Sequence, residues 1–288
     1  MRFTWVDFLV LSVVIAVVAF IYYRVDTVLD YKWNWSVIPQ YFFRWDASSH
    51  SWVSNLLIEG LLTTLRLAVW GIVFAAIVGT VMGLCRTSNN LFLRMVSRTY
   101  VELVRNIPPL VFIFLFYFFI SSQLMPLLGL DYLTVSATGW KLTLLTVLFG
   151  KVSLIENFVS GVIVLTLFEG AYVTEVVRSG IQSVDRGQWE GGASVGLTKF
   201  AVLRYIVLPQ AVRRIIPPLA NQFISLIKDS SIVALISIEE LTFFGIEIAT
   251  STTRVFEVWI TVAAMYFVIC SSCSLVLSKL EARAMATR

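Results

Sequence analysis

Charged residues are scarce in this chain of 288 residues, of which only 14% are charged and one, His50, is a histidine. A soluble globular domain carries about a quarter charged residues, so this composition excludes an ordinary soluble fold. The three cysteines follow neither a disulfide framework nor a zinc-binding spacing. No segment matches the phosphate-binding pattern G-x-x-x-x-G-K-[ST], and no Ser/His/Asp or Cys/His arrangement suggests catalysis. We therefore expect a chain that is not an enzyme and that holds no metal or cofactor.

Hydrophobic residues, by contrast, make up 58% of the chain and gather in long runs. A helix needs about 20 mainly apolar residues to cross a bilayer. The runs predict an all-α polytopic membrane protein with six transmembrane helices. We place these helices at residues 8–23, 61–85, 109–124, 158–177, 218–237 and 256–277.

Three details refine this prediction. No small-residue cleavage site follows the first run, so we expect it to remain as an uncleaved helix. The apolar run at 142–150 is too short to span and is expected at the membrane interface or under a loop. The proline pairs at 108–109 and 217–218 are predicted to begin helices, where proline is tolerated.

Orientation follows from the basic residues, because cytoplasmic loops carry an excess of Lys and Arg. If the N terminus is cytoplasmic, most of the 22 basic residues fall in cytoplasmic segments. Six spans then return the C terminus to the cytoplasm. Topology therefore explains the net charge of +4 better than binding to nucleic acid does.

A charged, glycine-containing segment interrupts the oily runs at residues 186–209. Its first part, 188–195, is polar enough for a short surface helix, and Gly196 can end that helix in the left-handed conformation. A second amphipathic piece follows, and we expect Pro209 to break it. This pattern predicts either a helix–stop–helix platform that meets a cytoplasmic partner or an ordinary interfacial loop. The second piece places Phe200, Leu203, Ile206 and Val207 on its apolar side and Lys199 and Arg204 on its wet side.

The spacing within this segment resembles the EAA signature of the membrane subunits of bacterial ABC importers. The signature consists of a Glu with two small residues, a Gly at fixed distance and an Ile-x-Leu-Pro, and it matches Glu190, Gly191, Gly192, Gly196, Ile206, Leu208 and Pro209. The surrounding stretches "YVELVRNIPPLVFIFLFYF", "GAYVTEVVRSGIQSVDRGQWE" and "LPQAVRRIIPPLANQFISLIKDSSIV" resemble the polar-amino-acid branch of that family. One departure is the Gly191-Gly192 pair, which stands where Ala-Ala is usual and costs about 1 kcal/mol of helix propensity per residue.

The resemblance implies a permease that imports polar amino acids across the bacterial inner membrane. It implies a type I importer core formed by the last five spans, with coupling helices near 186–209 that seat on a separate ATPase subunit, which binds ATP and Mg. It also implies a second permease, identical or similar, and a periplasmic solute-binding protein. We predict an extra N-terminal helix and periplasmic segment at 1–57, the transmembrane domain at 58–283 and a cytoplasmic tail at 284–288.

Four ionisable residues within the predicted spans are candidates for the substrate pathway, because such residues are costly in a bilayer and usually face a cavity or pair with one another. If the substrate is an amino acid, as the resemblance implies, Glu169 could bind its ammonium group and Lys228 its carboxylate. Glu175 and Asp229 complete the set. The alternative is that these residues form interhelical ion pairs. A different class of protein, a secondary transporter or channel driven by ion gradients, also uses intramembrane acids but leaves the charged platform unexplained.

Overall fold

The structure, a computed structural model, describes residues 5–28, 31–48, 50–130 and 138–286. Within these ranges, six helical stretches are long and apolar enough to cross a membrane, so the predicted all-helical fold with six spans is confirmed. These stretches are Trp5–Thr27, Leu56–Thr87, Pro109–Leu128, Val152–Gln182, Lys199–Ile236 and Val255–Lys279.

The described residues form twelve α-helices and one small hairpin. The helices are α1 (Trp5–Val28), α2 (Leu56–Thr87), α3 (Leu91–Asn106), α4 (Pro109–Leu115), α5 (Ser122–Leu128), α6 (Trp140–Phe149), α7 (Ile155–Gln182), α8 (Arg186–Ser194), α9 (Lys199–Val202), α10 (Leu208–Asp229), α11 (Leu241–Thr252) and α12 (Val255–Ala286). Turns of π-helix at Phe116–Ser121 and Leu203–Val207 join α4 to α5 and α9 to α10. The strands β1 (Phe43–Asp46) and β2 (Ser51–Ser54) pair antiparallel, with Trp45 opposite Trp52.

The centre of the bundle is the packing of α2 against α7. Small residues recur about every four positions along the buried side of α2, which brings the two backbones close together. A Cβ atom added at Gly79 would lie 2.5 Å from the Cβ of Val173, and one added at Gly83 would lie 2.7 Å from the Cβ of Val177. The helices therefore interlock at a distance that larger residues would not permit.

A hydrophobic core surrounds this pair on the side where α4, α10 and the 3₁₀ turn at Ser230–Ile236 converge. Its buried members include Leu67, Ile113, Phe158, Leu165 and Leu226. The first helix, α1, contributes almost nothing to the cores. Among its residues with a described exposure, Val25 alone is buried.

Glu240 joins three helices at one end of the bundle. Its carboxylate accepts a hydrogen bond from the backbone of Phe243 at 2.8 Å, which caps α11, and another from the hydroxyl of Tyr266 on α12 at 2.8 Å. The hydroxyl of Thr64 on α2 donates to the same carboxylate at 3.3 Å. Because the side chain is fully buried, burial raises the pKa of Glu240 to about 7.

The prolines behave only partly as predicted. Pro109 begins α4, with Pro108 at the preceding cap position, as expected. The prediction for Pro217 and Pro218 was wrong, because both lie inside α10. Membrane helices tolerate such interior prolines because neighbouring groups can satisfy the backbone carbonyls that proline leaves free.

The short elements agree better with the sequence. The apolar run at 142–150 falls largely in α6, whose ten residues are too few to span. The helix α12 extends to Ala286 and so includes the first three residues of the tail that was predicted at 284–288. The last two residues lie outside the described ranges.

Candidate functional site

The segment that interrupts the spans does begin with a surface helix. Asp185 caps α8 by accepting a hydrogen bond from the amide of Gly187 at 2.6 Å. The helix ends at Ser194, and Gly196 adopts φ +82° in the left-handed region. The amide of Leu197 then donates to the carbonyl of Gly192 at 3.2 Å, which satisfies one of the free carbonyls at the helix end. The predicted stop at Gly196 is therefore confirmed.

The second piece continues directly into the next span. Thr198 caps α9 by accepting from the amide of Ala201 at 3.3 Å. The π turn at Leu203–Val207 then leads into α10 without interruption. The predicted break at Pro209 was therefore wrong. Pro209 lies in the first turn of α10, directly after the π turn, and the helix continues through it.

The platform formed by α8, α9 and the π turn is packed onto the bundle. Val202 and Val207 are buried in a cluster with residues of α7 and α10. A Cβ atom at Gly192 would lie 2.8 Å from both Ile206 Cδ1 and Val202 Cγ2, so α8 lies directly against this surface. Phe200 was expected on the apolar side but is 73% exposed, because α9 buries only Val202 before the π turn changes the helical repeat.

The other side of the platform faces solvent. The side chain of Glu190 is 71% exposed, and its one ion pair in the described chain, to Arg186 at 3.4 Å, is exposed as well. Gly191 meets no atom within 4 Å of an added Cβ. A groove of about 630 Å³ runs between the platform and the turn that follows α2, and Trp189 and Phe200 line it. Exposed charges beside the exposed ring of Phe200 and the partly buried ring of Trp189 form a surface suited to docking another protein.

A second group of predicted residues meets in the interior. Glu169 on α7 is fully buried. The side-chain amide of Gln222 on α10 donates a hydrogen bond to its Oε2 atom, and the carboxyl of Asp229 at the end of α10 lies close enough to interact with the same side chain. The structure thus brings Glu169 and Asp229 together.

Two polar atoms beside this group have no partner among the described residues. They are Oε1 of Glu169 and Oγ1 of Thr166, and both are buried. Residues three apart share one face of a helix, so the two atoms lie on one side of α7. A buried polar atom without a partner costs about 1–3 kcal/mol. The group can therefore accept hydrogen bonds from a ligand that carries N–H donors.

The remaining two candidates lie apart from this group. Lys228 is exposed, and within the described ranges it forms no ion pair with Glu169, so the alternative of a pair between these two is not observed. Glu175 instead forms ion pairs with the guanidinium groups of Arg86, at 2.9 Å, and Arg178, at 2.7 Å. Those contacts link the ends of α2 and α7.

The sequence reasoning missed three residues that complete these groups, namely Gln222, Thr166 and Arg86. One signal was available for Gln222. It lies seven residues before Asp229, which is two helical turns and therefore the same face of α10. Arg86 and Glu175 are far apart in sequence and carried no such signal.

A bundle of spans with buried carboxyl groups in its interior and an exposed helical platform at one end defines a membrane transport subunit. The chain belongs to the family described as "Binding-protein-dependent transport system inner membrane component", which matches residues 71–285. It is therefore a multi-pass inner-membrane permease of the ABC-importer type, and the resemblance seen in its motifs is confirmed.

Individual relatives agree with this assignment. The chain is 32% identical over 228 residues to the glutamine transport system permease protein GlnP of Escherichia coli strain K12, covering 79% of this chain and 92% of that protein. It is 33% identical over 240 residues to the L-cystine transport system permease protein TcyB of Bacillus subtilis, covering 83% and 90%. A solved structure described as an amino acid ABC transporter with histidines superposes with a TM-score of 0.66 at 30% identity, covering 88% of this chain and 100% of that one.

Proposed function

We propose that this permease imports polar amino acids and that a separate ATPase subunit, which binds ATP and Mg, drives the transport. Similar proteins named for glutamine and cystine transport support this class of cargo. A periplasmic binding protein delivers the amino acid to the outer face, and a second permease, identical or similar, completes the pathway. In this arrangement both termini and the platform are cytoplasmic.

The exposed platform is the observation that carries the proposal. Glu190 projects from α8 with no buried contact to hold it, beside a groove large enough to take protein side chains. The same platform is packed through Val202 and Val207 onto the ends of α7 and α10. A partner that binds its outer side can therefore move the spans, which a transporter driven only by ion gradients does not need.

Within the spans, Glu169 and Asp229 are proposed to receive the ammonium group of the amino acid. The unpartnered oxygen of Glu169 and the hydroxyl of Thr166 supply the acceptors. Lys228, exposed at the end of α10, offers a cation to the carboxylate.

Charge reversal at Glu190 tests the docking role. We expect Glu190→Lys to leave the permease inserted and thermally stable but to reduce both co-purification of the ATPase subunit and uptake of L-glutamine and L-cystine. Glu102→Lys is the matched control, since Glu102 is also an exposed carboxylate with an i,i+4 arginine partner but lies on α3. Normal ATPase binding and uptake by Glu190→Lys would refute the docking role. Uptake by the permease in vesicles without any ATPase would instead favour an ion-gradient mechanism.

The orientation needs its own measurement. In a chain whose native cysteines have been replaced, we expect Ser194→Cys on α8 to react with a membrane-impermeant reagent only after the cytoplasmic side is opened. Arg44→Cys on β1 should react from outside. The opposite labelling pattern would reverse the proposed topology.

A further inference from the structure

A charged cavity lies at the end of the bundle opposite the platform. It has a volume of about 260 Å³ and is enclosed by α2, the start of α7 and the chain between the 3₁₀ turn at Ser230–Ile236 and α11. Two carboxylates, Glu59 and Glu239, and two cations, Arg66 and Lys151, line it. Drug-sized ligands occupy sites of about 300–1,000 Å³, so this cavity suits a smaller molecule.

The four charges are unequally paired. The ammonium of Lys151 lies 2.8 Å from a carboxylate oxygen of Glu239 and 3.4 Å from one of Glu59. Arg66 forms no ion pair within the described chain. Its Nε atom donates to the carbonyl of Val147 at 2.9 Å, which fixes the guanidinium plane and leaves the other nitrogens for a ligand.

The backbone beside Arg66 keeps this guanidinium accessible. Gly150 adopts φ +85°, and a Cβ atom there would lie 3.3 Å from Nη1 of Arg66. Glycine therefore leaves open the side from which a planar anion can approach. A guanidinium presents a rigid fork of donors that matches a carboxylate with two parallel hydrogen bonds.

We propose that this cavity is a binding site for the zwitterionic backbone of an amino acid, with the carboxylate on Arg66 and the ammonium shared between Glu59 and Glu239. Glu59, Glu239 and Lys151 together carry one net negative charge, and Arg66 carries one positive charge. A molecule with both an ammonium and a carboxylate therefore matches both halves of the cavity. The inference rests on the proposed amino-acid cargo. It adds an outer site, through which the cargo passes before it reaches Glu169.

The phosphoethanolamine headgroup of a common membrane lipid carries both a cationic ammonium and an anionic group, as an amino acid does. The test must therefore separate these two sources. The purified permease–ATPase complex is studied in detergent without binding protein, in a Glu169→Gln background that weakens the inner site. Each standard L-amino acid and O-phosphoethanolamine is titrated in turn, and the thermal shift is recorded.

We expect an amino acid to raise Tm in this background and Arg66→Gln to weaken its binding about tenfold to a hundredfold, the range of a charge-assisted hydrogen bond. Arg98→Gln is the matched control, since Arg98 is an exposed cation on α3 paired with Glu102, and it should not change the binding. On the chain that retains Arg66, the methyl ester and the deaminated analogue of the same amino acid should each bind more weakly. These two ligands keep the test valid even if Arg66→Gln folds poorly.

Three results would overturn the outer site. The first is unchanged binding of the amino acid by Arg66→Gln. The second is binding of the methyl ester and of the deaminated analogue that is as tight as that of the amino acid itself. The third is a rise in Tm with O-phosphoethanolamine but with no amino acid. Uptake by the intact transporter reports separately on the proposed function. Uptake with no binding in the Glu169→Gln background would discard the outer site and keep the amino-acid cargo, whereas absence of any amino-acid uptake by the wild type would remove both.

Discussion

Two adjacent glycines in α8 should respond differently to the same substitution. At Gly191 an added Cβ meets nothing within 4 Å, so Gly191→Ala gains helix propensity of about 1 kcal/mol. At Gly192 the Cβ would lie 2.8 Å from Ile206 Cδ1 and Val202 Cγ2. Overpacking costs about 1–3 kcal/mol, which offsets or exceeds the same gain of about 1 kcal/mol. We therefore expect Gly191→Ala to stabilise α8 and Gly192→Ala to leave it unchanged or weaken it.

Hydrogen exchange of the backbone amides of α8 measures this difference locally. A gain of about 1 kcal/mol slows exchange about fivefold in Gly191→Ala, while Gly192→Ala should show wild-type or faster exchange. The ATPase should still co-purify with Gly191→Ala, because alanine is the usual residue at this position of the EAA signature. Equal slowing in the two variants would refute the packing of α8 against Ile206 and Val202.

Three further substitutions test the interior and the ends of the bundle. Glu169→Gln keeps an oxygen that can accept from Gln222, so we expect Tm in detergent to be nearly unchanged. Amino-acid uptake should fall about tenfold to a hundredfold, the range of one charge-assisted hydrogen bond. Loss of folding would make the residue structural, and full uptake would remove it from the pathway. Glu175→Gln leaves Arg86 and Arg178 without their carboxylate. These side chains are 18–32% exposed, so the loss should cost less than the roughly 3–5 kcal/mol of a fully buried pair but should still lower Tm. Glu102→Gln, in the more exposed pair with Arg98, should not change Tm, and equal Tm values for the two variants would contradict a stabilising role for the Glu175 pairs. Finally, the pKa of Glu240 is 4.5 in the unfolded chain and about 7 in the folded protein. Between these values the folded state binds more protons, so stability should decrease as the pH rises from about 5 to 7. Glu240→Gln should reduce the dependence of Tm on pH, and an unchanged dependence would assign it to other groups.

Local patterns in the sequence predicted much of the fold. Hydropathy located all six spans, and the capacity of glycine for positive φ located the stop at Gly196. The predicted spans were shorter than the helices. The first turns of α2 and α7 contain the acidic residues Glu59 and Glu156, and hydropathy places such charged turns outside the apolar runs. The effect of the prolines at 209 and 217–218 was misjudged. Pro209 follows the π turn at the start of α10, and Pro217 and Pro218 lie inside that helix, where neighbouring groups can satisfy the carbonyls that proline leaves free.

The partners of the charged residues were the least predictable feature. The sequence left two interpretations open for Glu169, Glu175, Lys228 and Asp229, namely contact with the substrate or ion pairs with one another. Which residues pair depends on how α2, α7 and α10 are rotated about their axes, and a shift of one residue turns a side chain by about 100°. The contact between Glu175 and Arg86 follows from that rotation, which only the packed structure defines.

The uninterrupted passage from the π turn into α10 makes that helix a lever. Its 22 residues span about 33 Å at 1.5 Å per residue. One end is continuous with the platform, while Gln222, which donates a hydrogen bond to Glu169 of α7, lies toward the other. If α10 tilts as one body, a movement of the platform relative to α7 acts directly on the hydrogen bond between Gln222 and Glu169.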